Sequence, residues 1–272
     1  VRSLANSRST RMALHIEKFR DVTRLRMRSP GSRAVGLDVS AYVMDGVMID
    51  TGFHRARHAL LAAVRTRGVR AAIVTHWHED HAGNVGLLAS QGLPLLVRGD
   101  TESTLRTRPD VQLYRRVVWG YANALTRPLI PFDGGRFECI HTPGHSADHQ
   151  VVWDATTGTL FSGDLWLGVR SRILHASEDP YAIIDSLRII EALQPTRMFD
   201  AHRGLVENPA VAIRAKIDWL SETLGTVETL IAQGFSDRQI VKEVLGGEEM
   251  AAIASRGDYS RRNLVKAVRR RV

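Results

Sequence analysis

The chain has 272 residues, 44% hydrophobic and 24% charged, with 37 Lys+Arg against 29 Asp+Glu and a formal net charge of +8. That length is ample for a sizeable core, and the composition excludes a disordered chain, a collagen-like repeat and a disulfide scaffold. The charge sits at the ends: residues 1–28 carry eight basic and two acidic side chains and residues 255–272 carry seven and one, so two segments of +6 flank a middle of −4.

In chain order, Leu25 and Met27 alternate with Arg24, Arg26 and Arg28, the period of a strand with one exposed face. Pro30-Gly31-Ser32 breaks the chain, and strands at 39–43 and 47–49 flank the hairpin signal Asp45-Gly46. A helix fits 54–67, with Ala56, Ala59, Leu60, Ala63 and Val64 on one face, and Gly68 stops it. Residues 71–74 form a short buried strand, 75–83 a polar loop at its end, and 84–90 begin a helix. Strands follow at 136–141, 150–154, 159–162 and 197–200, with a helix over 179–193 stopped by Pro195. Strands interleaved with helices predict α/β layers.

Past Pro209 the pattern changes. Ile213, Ile217, Leu220, Leu224, Val227 and Ile231 mark one long amphipathic helix ended by Gly234. Ser236 and Gln239 form a capping box for the next helix, and two short helical stretches follow near 248–254 and 260–270. A core of residues 1–205 with an all-helical C-terminal domain, 206–272, is the expected organisation. Cys139 is the only cysteine, so no internal disulfide forms. No apolar run approaches the roughly 18 residues of a membrane span, and residues 1–28 lack a secretory apolar stretch, so a cytoplasmic protein is expected.

The dominant chemical signal is Thr75-His76-Trp77-His78-Glu79-Asp80-His81. His76, His78, Asp80 and His81 fall within six positions. A helix would send His76 and His78 to different faces, whereas an extended loop aims all four at one point. Imidazoles and carboxylates are what zinc prefers, with iron or manganese next.

This motif resembles the metallo-β-lactamase superfamily, and further segments match in order: Ile49-Asp50-Thr51-Gly52, Thr142-Pro143-Gly144-His145, Phe161-Ser162-Gly163-Asp164 and Ala201-His202-Arg203-Gly204. The resemblance spans residues of about 35–220. It implies an αββα sandwich with these loops gathered at one edge of two sheets. It implies His76, His78 and His145 on one metal, Asp80, His81 and His202 on a second, and Asp164 between them. A hydroxide bridging two such cations has its pKa lowered towards neutrality and becomes a nucleophile. Asp80 and Asp164 are the expected catalytic carboxylates, and Asp80 is open to a ligand or a proton-shuttle role. Asp50 is expected to orient a ligand or to serve a turn, in equal measure. Asp148 and His149 read as ligand supports or a proton relay; packing is the plainer reading of His149, and an ordinary strand aromatic that of Tyr42.

Asp164 argues against the true zinc β-lactamases, which replace that residue, and His78 against the flavin-linked di-iron branch. The local runs and the helical tail look closest to the lactamase-like endoribonuclease group, although no β-wing is evident. The expected activity is hydrolysis of a small-molecule ester, thioester or lactone by a monomer or homodimer holding two zinc ions. The alternative is cleavage of single-stranded RNA, with the basic ends as a phosphate track.

Overall fold

A computed structural model describes residues 13–34 and 36–272; Arg2, Arg8 and Arg11, counted above in the basic N-terminal stretch, lie outside them. The first sheet is laid down in sequence order. β1 (Ala13–Phe19), β2 (Val22–Arg28), β3 (Val39–Met44) and β4 (Val47–Ile49) pair antiparallel, with a short helix α1 (Pro30–Ala34) between β2 and β3. A 3-10 turn (His54–Ala56) and α2 (Arg57–Thr66) cross to β5 (Ala71–Ile73), and α3 (Val85–Ser90) crosses to β6 (Leu95–Leu96), both in parallel pairing. The β3–β4 turn holds Asp45 at φ +48° and Gly46 at φ +68°, the two positive angles a tight primed turn demands.

Two helices, α4 (Gly99–Thr107) and α5 (Leu113–Trp119), precede the second sheet. Its strands are β7 (Glu138–His141), β8 (Gln150–Asp154), β9 (Thr159–Phe161), β11 (Arg197–Asp200) and β12 (Gly204–Val206), ordered β12-β11-β9-β8-β7. The two-residue β10 (Leu174–His175) and α6 (Pro180–Ala192) lie between β9 and β11. The chain ends with α7 (Pro209–Ala232), α8 (Asp237–Leu245), α9 (Met250–Ala254), β13 (Tyr259–Ser260) and α10 (Arg261–Arg269).

Strand alternation sorts the side chains into three apolar layers. Val39, Ala41 and Val43 of β3 pack with Met48 against Leu60 of α2 and Leu88 of α3. The intervening Tyr42 and Met44, with Ile49 and Ile73, face the second sheet and meet Val152, Phe161 and Phe199. The opposite faces of those second-sheet strands, Val151, Leu160 and Met198, pack on Leu187 of α6 and Ile213 and Leu224 of α7. The result is an αββα sandwich, and both faces of each sheet are covered, which is why central strands are buried at every position.

The third layer continues into Ile240 of α8 and Leu264 and Val268 of α10. At about 1.5–3 kcal/mol for each fully buried aliphatic side chain, these helices are held by the same apolar cluster as the second sheet. The C-terminal region is not wholly helical, because β13 pairs antiparallel with β10 and ties the tail to the segment before α6. Arg24, expected on an exposed strand face, is buried; Ser40 Oγ and Glu17 Oε2 accept from its guanidinium at 2.8 and 3.0 Å. Among the described residues, no helix is long and apolar enough to cross a membrane.

Candidate metal centre

The candidate ligands sit on the loops that follow β5, β7, β9 and β11. The loop after β5 is fixed from two sides. Asp50, just past β4, adopts the left-handed region at φ +60°, a costly conformation for a non-glycine residue that recurs at functional sites. Its Oδ1 accepts from Thr75 N at 2.8 Å, and its Oδ2 lies 2.8 Å from His81 Nδ1. From the other side Asp148 Oδ2 accepts from Trp77 N at 2.9 Å and Thr101 Oγ1 at 2.7 Å, while Oδ1 accepts from Ser146 Oγ at 2.6 Å. Asp148 thus joins the β5 loop, α4 and the β7–β8 turn.

On that frame the side chains converge. His76 Nε2 and His145 Nε2 lie 2.9 and 3.0 Å from His78 Nδ1. Asp164 Oδ2 is 3.4 Å from His145 Nε2, and Asp164 Oδ1 is 3.3 Å from His81 Nε2 and 3.2 Å from His202 Nε2. Asp80 Oδ2 lies 3.7 and 3.6 Å from His81 Nε2 and His202 Nε2. Three overlapping groups have their ligand atoms within 4.8 Å of one another: His76, His78 and His145; His76, His81 and Asp164; Asp80, His81 and His202. A tetrahedral zinc ion bound at about 2.0–2.1 Å spaces its ligand atoms by about 3.3 Å.

Behind four rings lies a polar group that favours one tautomer, for His145 a close carboxylate without an aligned hydrogen bond. His81 Nδ1 faces Asp50, and His145 Nδ1 lies 2.9 Å from Glu178 Oε1. His202 Nδ1 donates to Asp38 O at 2.7 Å, and His76 Nδ1 lies 3.0 Å from Thr75 Oγ1, whose own proton goes to Asp50. Once neutral, each of these rings would turn a bare Nε2 lone pair inward, the arrangement by which outer partners orient a metal-binding imidazole. Buried His81 Nε2 and Asp164 Oδ1 have no hydrogen-bond partner among the described residues. Converging imidazole nitrogens, two carboxylates and orphaned buried polar atoms form a donor set suited to divalent cations.

Electrostatics divide the cluster. Burial, reinforced by neighbouring imidazoles, holds His76 and His78 well below the usual histidine range. Burial opposes protonation of His81 too, but Asp164, Asp50 and Asp80 outweigh it and push that ring well above its usual value. His202 is raised to about 9, burial being overcome by Asp164. Burial works against ionised Asp164, yet His202 and His81 hold its carboxyl well below the usual range.

The family model for the metallo-beta-lactamase superfamily matches residues 34–202. The chain belongs to the metallo-beta-lactamase superfamily. Among curated superfamily relatives it is 27% identical over 209 residues to a beta-lactamase-like protein 2 homolog of Caenorhabditis elegans, covering 71% of this chain and 65% of that protein. It is 30% identical over 172 residues to an atrochrysone carboxyl ACP thioesterase of Passalora fulva, covering 60% of this chain and 46% of that one. The chain thus spans about half to two thirds of the length of these two relatives. A metallo-beta-lactamase family protein from Thermus thermophilus superposes with a TM-score of 0.65 at 16% identity, covering 92% of this chain and 91% of that one, a likeness of fold.

Within this superfamily fold, the supporting residues fall into two groups. Asp50 and Asp148 make the contacts described above. His149 is enclosed: its Nδ1 lies 3.0 Å from Thr142 Oγ1, and its Nε2 accepts from the Asp164 backbone N–H at 3.1 Å, so it aims the aspartate. Burial, with the neighbouring His145, lowers it to about 3. Gly163 (φ +50°) permits that approach, because a Cβ there would stand 2.6 Å from His149 Nε2. Tyr42 lies between the sheets and donates to Asp200 O at 2.6 Å. Sequence reasoning missed Glu178, Asp38 and Asp200. Asp200 is fully buried and accepts from the backbone N–H groups of His202, Arg203 and Leu167 at 2.8–2.9 Å, shaping the turn that presents His202.

Proposed function

We propose that the chain is a metal-dependent hydrolase that cleaves an ester, thioester or lactone bond in a small molecule. The observation that carries this reading is the convergence of imidazole nitrogens with the carboxylates of Asp80 and Asp164. In it, His76, His78 and His145 would hold one cation and Asp80, His81 and His202 a second, with Asp164 shared, zinc the preferred metal and iron or manganese suited to the same donors. Bound cations would polarise a carbonyl oxygen and acidify water at neutral pH.

The chain's own residues do the rest. Asp164, held ionised, supplies negative charge between the cations. Asp80 Oδ2 faces the same space and is placed to accept a proton beside its ligand role. Arg115 of α5 pairs with Glu79 at 2.6 Å in a buried contact, closing the loop from the α5 side. The thioesterase name of the fungal relative supports an acyl substrate. Residues 206–272 act in this reading as a helical domain backing the cleft, and the lone cysteine fits a reducing cytoplasm.

The ribonuclease alternative rests on the basic ends, and many of those charges are already engaged. Arg28 pairs with Asp38, Arg262 and Arg269 both reach Asp237, and Arg261 pairs with Glu249. Such pairing reduces what is left to track a phosphate backbone. A panel of thioester, ester, lactone and single-stranded RNA substrates on metal-loaded protein decides the matter. Chelator-sensitive turnover of an acyl substrate is the expected result; turnover of RNA alone would contradict it.

A further inference from the structure

Arg115 of α5 meets the metal loop on both sides of His78. Its guanidinium carbon stands 5.9 Å from the centroid of the Trp77 ring, and its Nη2 donates to Glu79 Oε2 at 2.6 Å. Trp77 and Glu79 are the chain neighbours of His78, and Asp80 follows. Arg115 and Glu79 are 6% and 8% exposed, and Arg115 Nε and Glu79 Oε1 find no partner among the described residues. A buried ion pair left incomplete adds little stability, and apolar side chains of like volume often serve as well or better. What such a pair supplies and an apolar contact does not is direction, because the charged N–H must point at the carboxylate.

The helix that carries Arg115 is itself held by the far end of the chain. Tyr114 donates its hydroxyl to Asp258 Oδ2 at 3.1 Å, across 144 residues of sequence, and its ring meets that of Tyr259 edge to face at 6.5 Å. The same two C-terminal residues hold a second approach to the centre. Asp258 O accepts from Ala176 N at 2.9 Å, and the Tyr259 ring lies 5.0 Å from that of His175. His175 O accepts from Glu178 N at 3.1 Å, and Glu178 stands 2.9 Å behind His145. Asn263 Nδ2 closes this joint by donating to Leu174 O at 3.0 Å and Asp258 O at 2.9 Å. Asp258 thus lies where two lines of contact meet, one through α5 to the loop of His78 and Asp80, the other through β10 to Glu178 and His145.

Resting on the metal-centre reading above, we propose that Tyr114, Arg115 and Asp258 are positioning residues through which the C-terminal segment fixes the loop carrying His78 and Asp80. Residues 206–272 then belong to the metal centre and do more than back the cleft. Arg115 sets the loop, Tyr114 ties the helix of Arg115 to Asp258, and Asp258 is held in place by β10 and Asn263. Contacts in such a line are shown to act together when their losses fail to add.

Two readouts test this on the full chain: zinc affinity by chelator competition, and amide hydrogen exchange of residues 76–81 in metal-free protein. The variants are Tyr114→Phe, Asp258→Ala and the two combined. Each single change breaks the same hydrogen bond and should leave the melting temperature within about 3 °C of wild type. Each should weaken zinc binding by about three- to tenfold, below the range typical of a direct support, and should speed exchange in the loop. The combined variant should lose no more than the larger single loss. Arg115→Met should lose the most. Arg262→Ala, a change to an exposed C-terminal side chain paired with Asp237, should move neither readout. Wild-type affinity and exchange in both single variants, additive losses in the combined one, or equal losses in Arg262→Ala overturn the proposal. If reconstituted wild type binds no zinc, the metal reading is what fails, and exchange in the metal-free proteins still decides the positioning role. Faster loop exchange in both single variants supports it, and unchanged exchange overturns it.

Discussion

The two ends of the ligand cluster are built from similar rings and behave differently. At the His76–His78–His145 end only His145 has a carboxylate of its own, Glu178, and burial with mutual repulsion keeps His76 and His78 neutral. At the other end Asp80 and Asp164 face His81 and His202, and the carboxylates lift both rings above their usual range. His76 and His78 present lone pairs as they stand, while His81 and His202 must release protons as a cation enters. The supports differ in kind as well. A carboxylate lies behind His81, a backbone carbonyl behind His202 and a hydroxyl behind His76. Asp164 links the ends through Oδ2 to His145 and Oδ1 to His81 and His202, and the His76 and His81 rings also meet, with centroids 4.1 Å apart.

That contrast orders the expected effects of substitution. Asp164→Asn removes the charge shared by both ends, so chelator-sensitive activity should fall by about two to three orders of magnitude, as steady-state kinetics on a responsive substrate would read. A variant with wild-type turnover would remove Asp164 from its central place. Next come the supports, where losses of about 10–100-fold in metal affinity are typical. Asp50→Asn should lie at the upper end, because Asp50 touches Thr75 N, Thr75 Oγ1 and His81 Nδ1, whereas Glu178→Gln disturbs His145 alone. Competition against a chromogenic chelator reads both, and equal effects would break the distinction between the ends. Thr75→Val, which removes only the hydroxyl between Asp50 and His76, should cost about tenfold or less in the same assay.

The sequence made the sandwich and the candidate ligands legible for a local reason. Each ligand sits in a short run beside a strand whose apolar character is plain, as His76 follows Ala71–Ile73 and His202 follows Arg197–Asp200. The supports beyond Asp50, Asp148 and His149 are not legible, because Glu178 and Asp38 are single acidic residues brought in from distant parts of the chain. α4 and α5 were equally hidden. Gly99–Thr107 carries only one large apolar side chain, Leu105, so its helix has no stripe to read and depends on tertiary contacts such as Thr101 to Asp148. β10 and β13 are two residues each, shorter than any period can reveal. Arg24 misled by type: an arginine on an alternating strand reads as exposed, but here Ser40 and Glu17 take up its donors beneath the surface.

The central claim is that one cluster holds two cations. Its most direct test is elemental analysis of protein reconstituted with excess zinc and freed of loosely bound metal. Close to two ions per chain are expected in the wild type and fewer in Asp164→Asn; one ion or none in the reconstituted wild type would contradict the claim.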